Sequence, residues 1–228
     1  MAVMSKILAI ETATKSASVA VTDNGKFLAE IISESTLAHS ETLMAQIEQV
    51  IKISGADNFD AIAVSIGPGS FTGLRIGLAT AKALAYAWNI KIIGVETLQA
   101  MALHFPGAKV LAMIDAQKNR AYVQKFSDCA KVSEIEIKSL EEIINSAGDE
   151  EIFLCGDVLH KIKNPLPANL KIAPINLRMP RAVNGAICAE KLFAENKFDN
   201  VMNLQPLYIR RSEAEILWER RQKLLSEK

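Results

Sequence analysis

The stretch D-A-I-A-V-S-I-G-P-G-S-F-T-G-L-R-I-G-L-A-T-A-K-A-L-A-Y-A-W-N-I-K-I-I-G-V-E-T (60–97) reads as strand, glycine turn, helix and strand. Ala61–Ile66 is an apolar, β-branched run closed by Gly67-Pro68-Gly69, the pattern of a buried strand ending in a tight turn. Ser70 or Thr72 can cap the helix that follows, and the strand Ile90–Val95 comes next, punctuated by Gly94. Between Thr72 and Trp88 the only charged side chains are Arg75 and Lys82, so this helix must be covered on more than one face. Gly73, Gly77 and Ala81 make one face smooth enough for close backbone approach, while Ile76, Ala79, Ala83 and Tyr86 form a second apolar stripe. One stripe is expected on the chain's own sheet, and the other calls for a partner.

Outward from that stretch, the order of elements is legible. Lys6–Ile10, Ala17–Thr22 and Phe27–Ser33 read as three short strands, the last two joined by the hairpin turn Asp23-Asn24-Gly25. Ser40–Ile53 reads as a helix capped by Ser40, with Leu43, Ile47, Val50 and Ile51 on its apolar face. After residue 97 come a short helix Leu98–His104 capped by Thr97 and a boundary at Pro106-Gly107. Strands at Val110–Ile114, Ala121–Phe126 and Val132–Ile137 follow, then a helix Leu140–Ser146 and a strand Ile152–Cys155. Asn164–Pro174 reads as proline-rich loop, and Val183–Glu195 as a helix with Ile187, Cys188 and Leu192 inward. Three antiparallel strands followed by parallel β-α-β-α is the pattern of the ribonuclease-H-like half of an actin/Hsp70/sugar-kinase fold. The expectation is therefore a two-lobed α/β protein: a ribonuclease-H-like lobe over 1–105, a smaller, degraded copy over 106–211, and a helical arm over 212–228.

Composition narrows the class. The chain has 228 residues, of which 50% are hydrophobic and 23% charged, with a formal net charge of zero, so no global field draws it to nucleic acid or an anionic membrane. Residues 178–228 carry ten Lys/Arg against seven Asp/Glu, read as a solvated helical tail in preference to an RNA site. Three widely spaced cysteines fit a reducing compartment without a disulfide frame or zinc site. The apolar run Ile7–Ile10 stops at Glu11, far short of a signal or membrane segment, and a cytoplasmic location is expected.

Five segments together carry a resemblance: I-L-A-I-E-T-A-T-K-S-A-S-V-A-V (7–21), H-S-E-T-L (39–43), G-P-G-S-F-T-G-L-R-I-G (67–77), I-D-A-Q-K-N-R-A-Y (114–122) and P-L-Y-I-R (206–210). They resemble the TsaB family, the non-catalytic partners in bacterial threonylcarbamoyl transfer to adenosine 37 of tRNA. The resemblance implies pairing with a homologous TsaD-like catalytic subunit, a TsaE-like ATPase subunit, and tRNA reached through the complex. It also implies no intrinsic cofactor, with ATP and a divalent metal on the partner subunits. An independent ATP-dependent small-molecule kinase of the same fold and a homodimeric binding module without a tRNA role, in which the isolated chain pairs with itself, are the competing readings.

Candidate residues follow from both lines. Glu11 and Thr12 stand where nucleotide-handling members of this fold place a carboxylate and a Thr or Ser. With Gly67, Gly69, Ser70, Thr72 and Arg75 they make up a candidate vestigial nucleotide or phosphate site. The alternative for Glu11 and Thr12 is a strand-end turn with local hydrogen bonds. The alternative for the glycine loop, which lacks the lysine of a phosphate-binding G-x-x-x-x-G-K-[ST] loop, is a purely structural turn. Cys155-Gly156-Asp157 is too poor in glycine for a second phosphate loop. The catalytic paralogue holds a metal with two histidines four apart on a helix. This chain has only His39, His104 and His160, far apart in sequence, and no H-E-x-x-H, so neither a metal site nor a catalytic residue is assigned. Arg75, alone on an apolar helix, is expected to meet a carboxylate or phosphate. The expected partner interface comprises Leu43, Met44, Ile47, Ile51, Arg75, Ile76, Ala79, Ala83 and Tyr86.

Overall fold

The computed structural model describes residues 5–34, 39–146 and 148–209. Arg210, Arg211 and the expected arm 212–228 lie outside the described residues. The first lobe opens with β1 (Lys6–Glu11), β2 (Ser16–Asp23) and β3 (Lys26–Glu34), followed by α1 (His39–Ser54), β4 (Ala61–Gly67), α2 (Phe71–Trp88) and β5 (Lys91–Glu96). Asn24 and Gly25 both take positive φ, 52° and 74°, as a tight hairpin between right-twisted strands demands. The sheet runs β3-β2-β1-β4-β5, with β1–β2 and β2–β3 antiparallel and β1–β4 and β4–β5 parallel. β1 is buried on both faces. Leu8 and Ile10 join a core with Leu43, Ile47 and Val50 of α1 and Leu78, Ala81 and Ala85 of α2, while Ile7 and Ala9 face the opposite cluster.

The second lobe comprises β6 (Lys109–Asp115), β7 (Arg120–Ser127), β8 (Ala130–Lys131), β9 (Glu136–Ser139), β10 (Ile152–Gly156) and β11 (Leu170–Ile172). β9 and β6 flank β7 antiparallel, and β10 and β11 continue from β6 in parallel. The order β9-β7-β6-β10-β11 repeats that of the first lobe strand for strand, with the two-residue β8 added on β7. The lobes are joined through α3 (Thr97–Ala102), whose Leu98 and Met101 pack with Phe105, Ala112 and Phe126.

Several expectations are corrected. Thr97 does not cap α3 but is its first residue, preceded by Glu96. Ser40 lies inside the first turn of α1, which begins at His39. Of the strand expected at Val132–Ile137 only Glu136 and Ile137 are extended, as the start of β9, with β8 ending just before the span, and the loop expected over 164–174 contains β11, too short to show alternation. α4 (Leu140–Asn145) is held by a capping box between Ser139 and Glu142. α5 (Ala182–Ala194) buries Ala182, Ala186 and Ala189, with Cys188 and Leu192 only partly buried and Ile187 half-buried. Moreover, α5 lies across β1, β2, β4 and β5, so part of the span 106–211 covers the first sheet. Glu30 anchors it there: its carboxylate pairs with Arg181 and accepts from Val183 N. Residues 199–209 then run as a strap along the first lobe, bonded to β5 through Asp199.

Candidate functional site

The two lobes meet around a cleft of about 520 Å³. Its first-lobe wall is the turn Ala13–Lys15 and the loop Pro68–Thr72. Its second-lobe wall is Asp115, Ala116, Gln117, Tyr122 and Asp157, and Leu207–Ile209 of the strap closes one side. The hairpin turns after β1 and after β6 therefore face one another, as the repeated strand order requires.

Glu11 and Thr12 do not reach this cleft as ligand groups. Glu11 is 3% exposed and Thr12 is fully buried. Glu11 Oε1 accepts from Ala13 N at 2.6 Å, and burial pushes its pKa from 4.5 to about 7 against smaller opposing hydrogen bonds from Ala13, Ser65 and Thr12. Thr12 Oγ1 donates to Gly73 O at 2.9 Å, and Ser70 N donates to Ala13 O at 2.7 Å. A Cβ on Gly69 would sit 2.5 Å from Ala13 O, and one on Gly77 would overlap Thr12 Oγ1. What approaches the smooth face of α2 is thus the chain's own first hairpin turn. Within the first lobe, the turn after β1 is thus packed directly against the glycine loop and the start of α2. Ser70 is spent as N-cap, accepting from Gly73 N.

The second wall has no cradle either. Gln117, Lys118 and Asn119 hold φ of 62°, 52° and 59°, side-chain-bearing residues where a phosphate loop uses glycine. Asp115 pairs with Lys161 at 2.6 Å and accepts from Gln117 N, and Asp157 accepts from Asp115 N at 2.8 Å. Burial raises the Asp157 pKa, with the neighbouring Asp115 charge acting in the same direction. The arrangement differs from a glycine-rich phosphate loop. Among the described residues, no group of three or more His, Cys, Asp or Glu side chains could hold a metal ion.

Of the remaining candidates, Gly69, Ser70 and Thr72 line the cleft, and Gly67, at φ 112°, lies against Leu74 and the Leu207 carbonyl. Arg75 is turned elsewhere: its guanidinium sits 3.8 Å above the Phe71 ring, and its Nε donates to Tyr208 Oη at 3.0 Å. Among the described residues of the free chain, Arg75 meets two aromatic faces and the Tyr208 hydroxyl. Asp115, Asp157 and Tyr208 were missed as wall residues. Asp115 could have been found by aligning the two hairpin turns, because it ends β6 as Glu11 ends β1.

The expected partner face divides. Gly73, Leu74, Gly77, Leu78, Ala81 and Ala85 of α2 point inward, while Arg75, Ala79, Ala83 and Tyr86 are exposed, Tyr86 at 76%. Ile76 and Ile51 are half-buried against the core, and Met44 is exposed at 54%. Leu43 and Ile47 are corrected to core residues, 1% and 2% exposed, because the strongest apolar positions of α1 are used against β1 and β2.

Duplicated 3-2-1-4-5 sheets meeting at a cleft define a two-lobed protein of the actin/Hsp70/sugar-kinase class. Residues 26–163, more than half of the chain, match the family model described as "TsaD: tRNA N6-adenosine threonylcarbamoyltransferase". The chain is 28% identical to the tRNA threonylcarbamoyladenosine biosynthesis protein TsaB of Escherichia coli, over 92% of this chain and 96% of that protein. It is likewise 28% identical to the protein of that name from Bacillus subtilis, over 95% and 99%. The solved structure of YeaZ from Pseudomonas aeruginosa superposes with a TM-score of 0.75 at 23% identity, covering 90% of this chain and all of that one. The chain belongs to the TsaB family, within the wider group whose model it matches.

Proposed function

We propose that this protein is the non-catalytic scaffold of the assembly that transfers a threonylcarbamoyl group to adenosine 37 of tRNA, and that it pairs with and activates a homologous TsaD-like catalytic subunit. The observation that carries this reading is the outer face of α2. It is an 18-residue helix without an acidic side chain, with Ala79, Ala83 and Tyr86 open to water, on a chain of the TsaB family. Covering such a face removes apolar surface from water at about 25 cal/mol per Å², less the cost of association. The packed hairpin turn and occupied aspartates favour a scaffold over an independent small-molecule kinase, which needs two open phosphate loops. On this reading ATP and a divalent metal bind the partner subunits, a TsaE-like subunit hydrolyses ATP, tRNA is engaged through the complex, and the protein acts in the cytoplasm.

The test is reconstitution. Purified chain mixed with the catalytic paralogue is expected to sediment as a heterodimer and to support tRNA modification once the ATPase subunit, threonylcarbamoyl-adenylate supply and tRNA are added. Modification at full rate without this chain contradicts the reading. So does robust ATPase, kinase or peptidase turnover by the chain alone that is lost in Glu11→Ala or Thr12→Ala.

A further inference from the structure

The strap connects the interlobe cleft to the outer face of α2. Asp199 N donates to Ile92 O, and Asp199 Oδ2 accepts from Gly94 N at 2.7 Å. Lys82 Nζ reaches from α2 to the carbonyls of Met202 and Leu204, at 2.9 and 3.1 Å. Leu207 N donates to Ile66 O at 2.7 Å, and Tyr208 then closes on α2 with its ring 5.3 Å from that of Phe71. Residues 207–209 form a wall of the cleft, and one side-chain hydrogen bond, from Arg75 to Tyr208 Oη, ties that end to the helix.

Arg75 is held there by weak partners. It is exposed, and among the described residues its charge meets only aromatic faces and a neutral hydroxyl. No acidic residue occurs anywhere on α2. A guanidinium engages a carboxylate through two parallel charge-assisted bonds, which are stronger than a single bond to a neutral hydroxyl. A docking surface that brings a carboxylate to the Nε edge of Arg75 therefore competes directly with Tyr208, because the Nε–H that Tyr208 accepts is one of the two donors of that side-on fork.

We propose that Arg75 changes partners when α2 is covered, leaving Tyr208 for a carboxylate on the docking helix, so that residues 207–209 lift from the cleft wall. This rests on the scaffold reading above. The surface fits an apolar helix face with an acidic side chain opposite Arg75, and the strap carries the docking event to the cleft.

Tyr208→Phe is the discriminating variant, because it removes the competing hydroxyl and keeps the ring. Its affinity for the purified catalytic paralogue is expected to rise about twofold to fivefold, whereas Arg75→Ala lowers it tenfold or more and Arg75→Lys recovers only a small part. Hydrogen exchange in wild-type peptides covering 205–209 is expected to be faster in the complex than in the free chain, with the Leu207 amide responding most. Thermal unfolding of each variant checks that it is folded. Unchanged or weaker binding by Tyr208→Phe, or equal protection of 205–209 free and bound, overturns the switch. In either case normal wild-type binding leaves the scaffold reading standing. A wild-type chain that binds no catalytic paralogue overturns both.

Discussion

Replacing Glu11 with Gln isolates the energetic consequence of sealing the first hairpin turn. The carboxyl is 3% exposed, and burial raises its pKa from 4.5 to about 7. Below pH 4.5 the group is protonated in both the folded and unfolded states and has no effect on the balance. Between 4.5 and 7 the unfolded chain releases the proton while the folded chain retains it, so stability falls as pH rises, and above 7 the full cost is present. A carboxyl raised from 4.5 to about 7 corresponds to about 3 kcal/mol at about 1.36 kcal/mol per pH unit. A neutral amide does not ionise, so Glu11→Gln is expected to stabilise the protein at pH 8 by about 2 kcal/mol. Part of the gain is lost because one amide group cannot accept the bonds that Glu11 takes from Ala13, Ser65 and Thr12. For a chain of this size that is roughly 4–8 °C in Tm. At pH 4.5 the two proteins are expected to lie within about 1 kcal/mol of each other, or the variant slightly lower, since a buried carboxylic acid is then replaced by an amide of similar shape. Urea unfolding of both proteins across pH 4.5–8.5 reads this directly. Parallel stability–pH curves for wild type and variant would refute the reasoning, because the Glu11 proton would then not be linked to folding.

Gly77→Ala is expected to lower stability by about 1–3 kcal/mol, since the new methyl overlaps Thr12 Oγ1; Thr12→Ala in the same chain should recover a measurable part in thermal unfolding. Leu43→Ala should cost about 2–5 kcal/mol, as befits a core residue 1% exposed, whereas a role confined to the partner face would leave the free chain's Tm unchanged. Ala83→Glu should shift the free chain by no more than about 0.5 kcal/mol, because the position faces water. In sedimentation with the catalytic paralogue it should cost two to three decades of affinity, the weight of several kcal/mol for an unpaired charge in an interface.

The fold was legible where hydrophobic pattern and turn chemistry agree. The run at 60–97 placed β4, α2 and β5 within a residue or two, and Asn24-Gly25 fixed the hairpin between β2 and β3. The second lobe was legible only as an order of elements. β11 is three residues long, β8 two and β9 four, the last two separated by an irregular segment over 132–135, too short for period-two alternation to register. The location of α5 was hidden because its buried face is alanine, which marks close packing and names no particular sheet. At the site, the small-residue face of α2 was visible but its occupant was not, since Thr12 lies sixty-one residues from Gly73 and nothing local links them. For the same reason the contacts of Arg75 within the chain were not legible: a ring four residues back and a tyrosine on a strap 133 residues away.

In the proposed scaffold role this chain acts through the outer face of α2 and not through its own cleft. Threonylcarbamoyl transfer to tRNA, measured in the reconstituted system, compares Ala83→Glu with Glu11→Gln at equal concentrations. Ala83→Glu is expected to abolish the stimulation given by wild-type chain while Glu11→Gln preserves it. Full stimulation by Ala83→Glu together with loss in Glu11→Gln would contradict it and return the activity to the cleft.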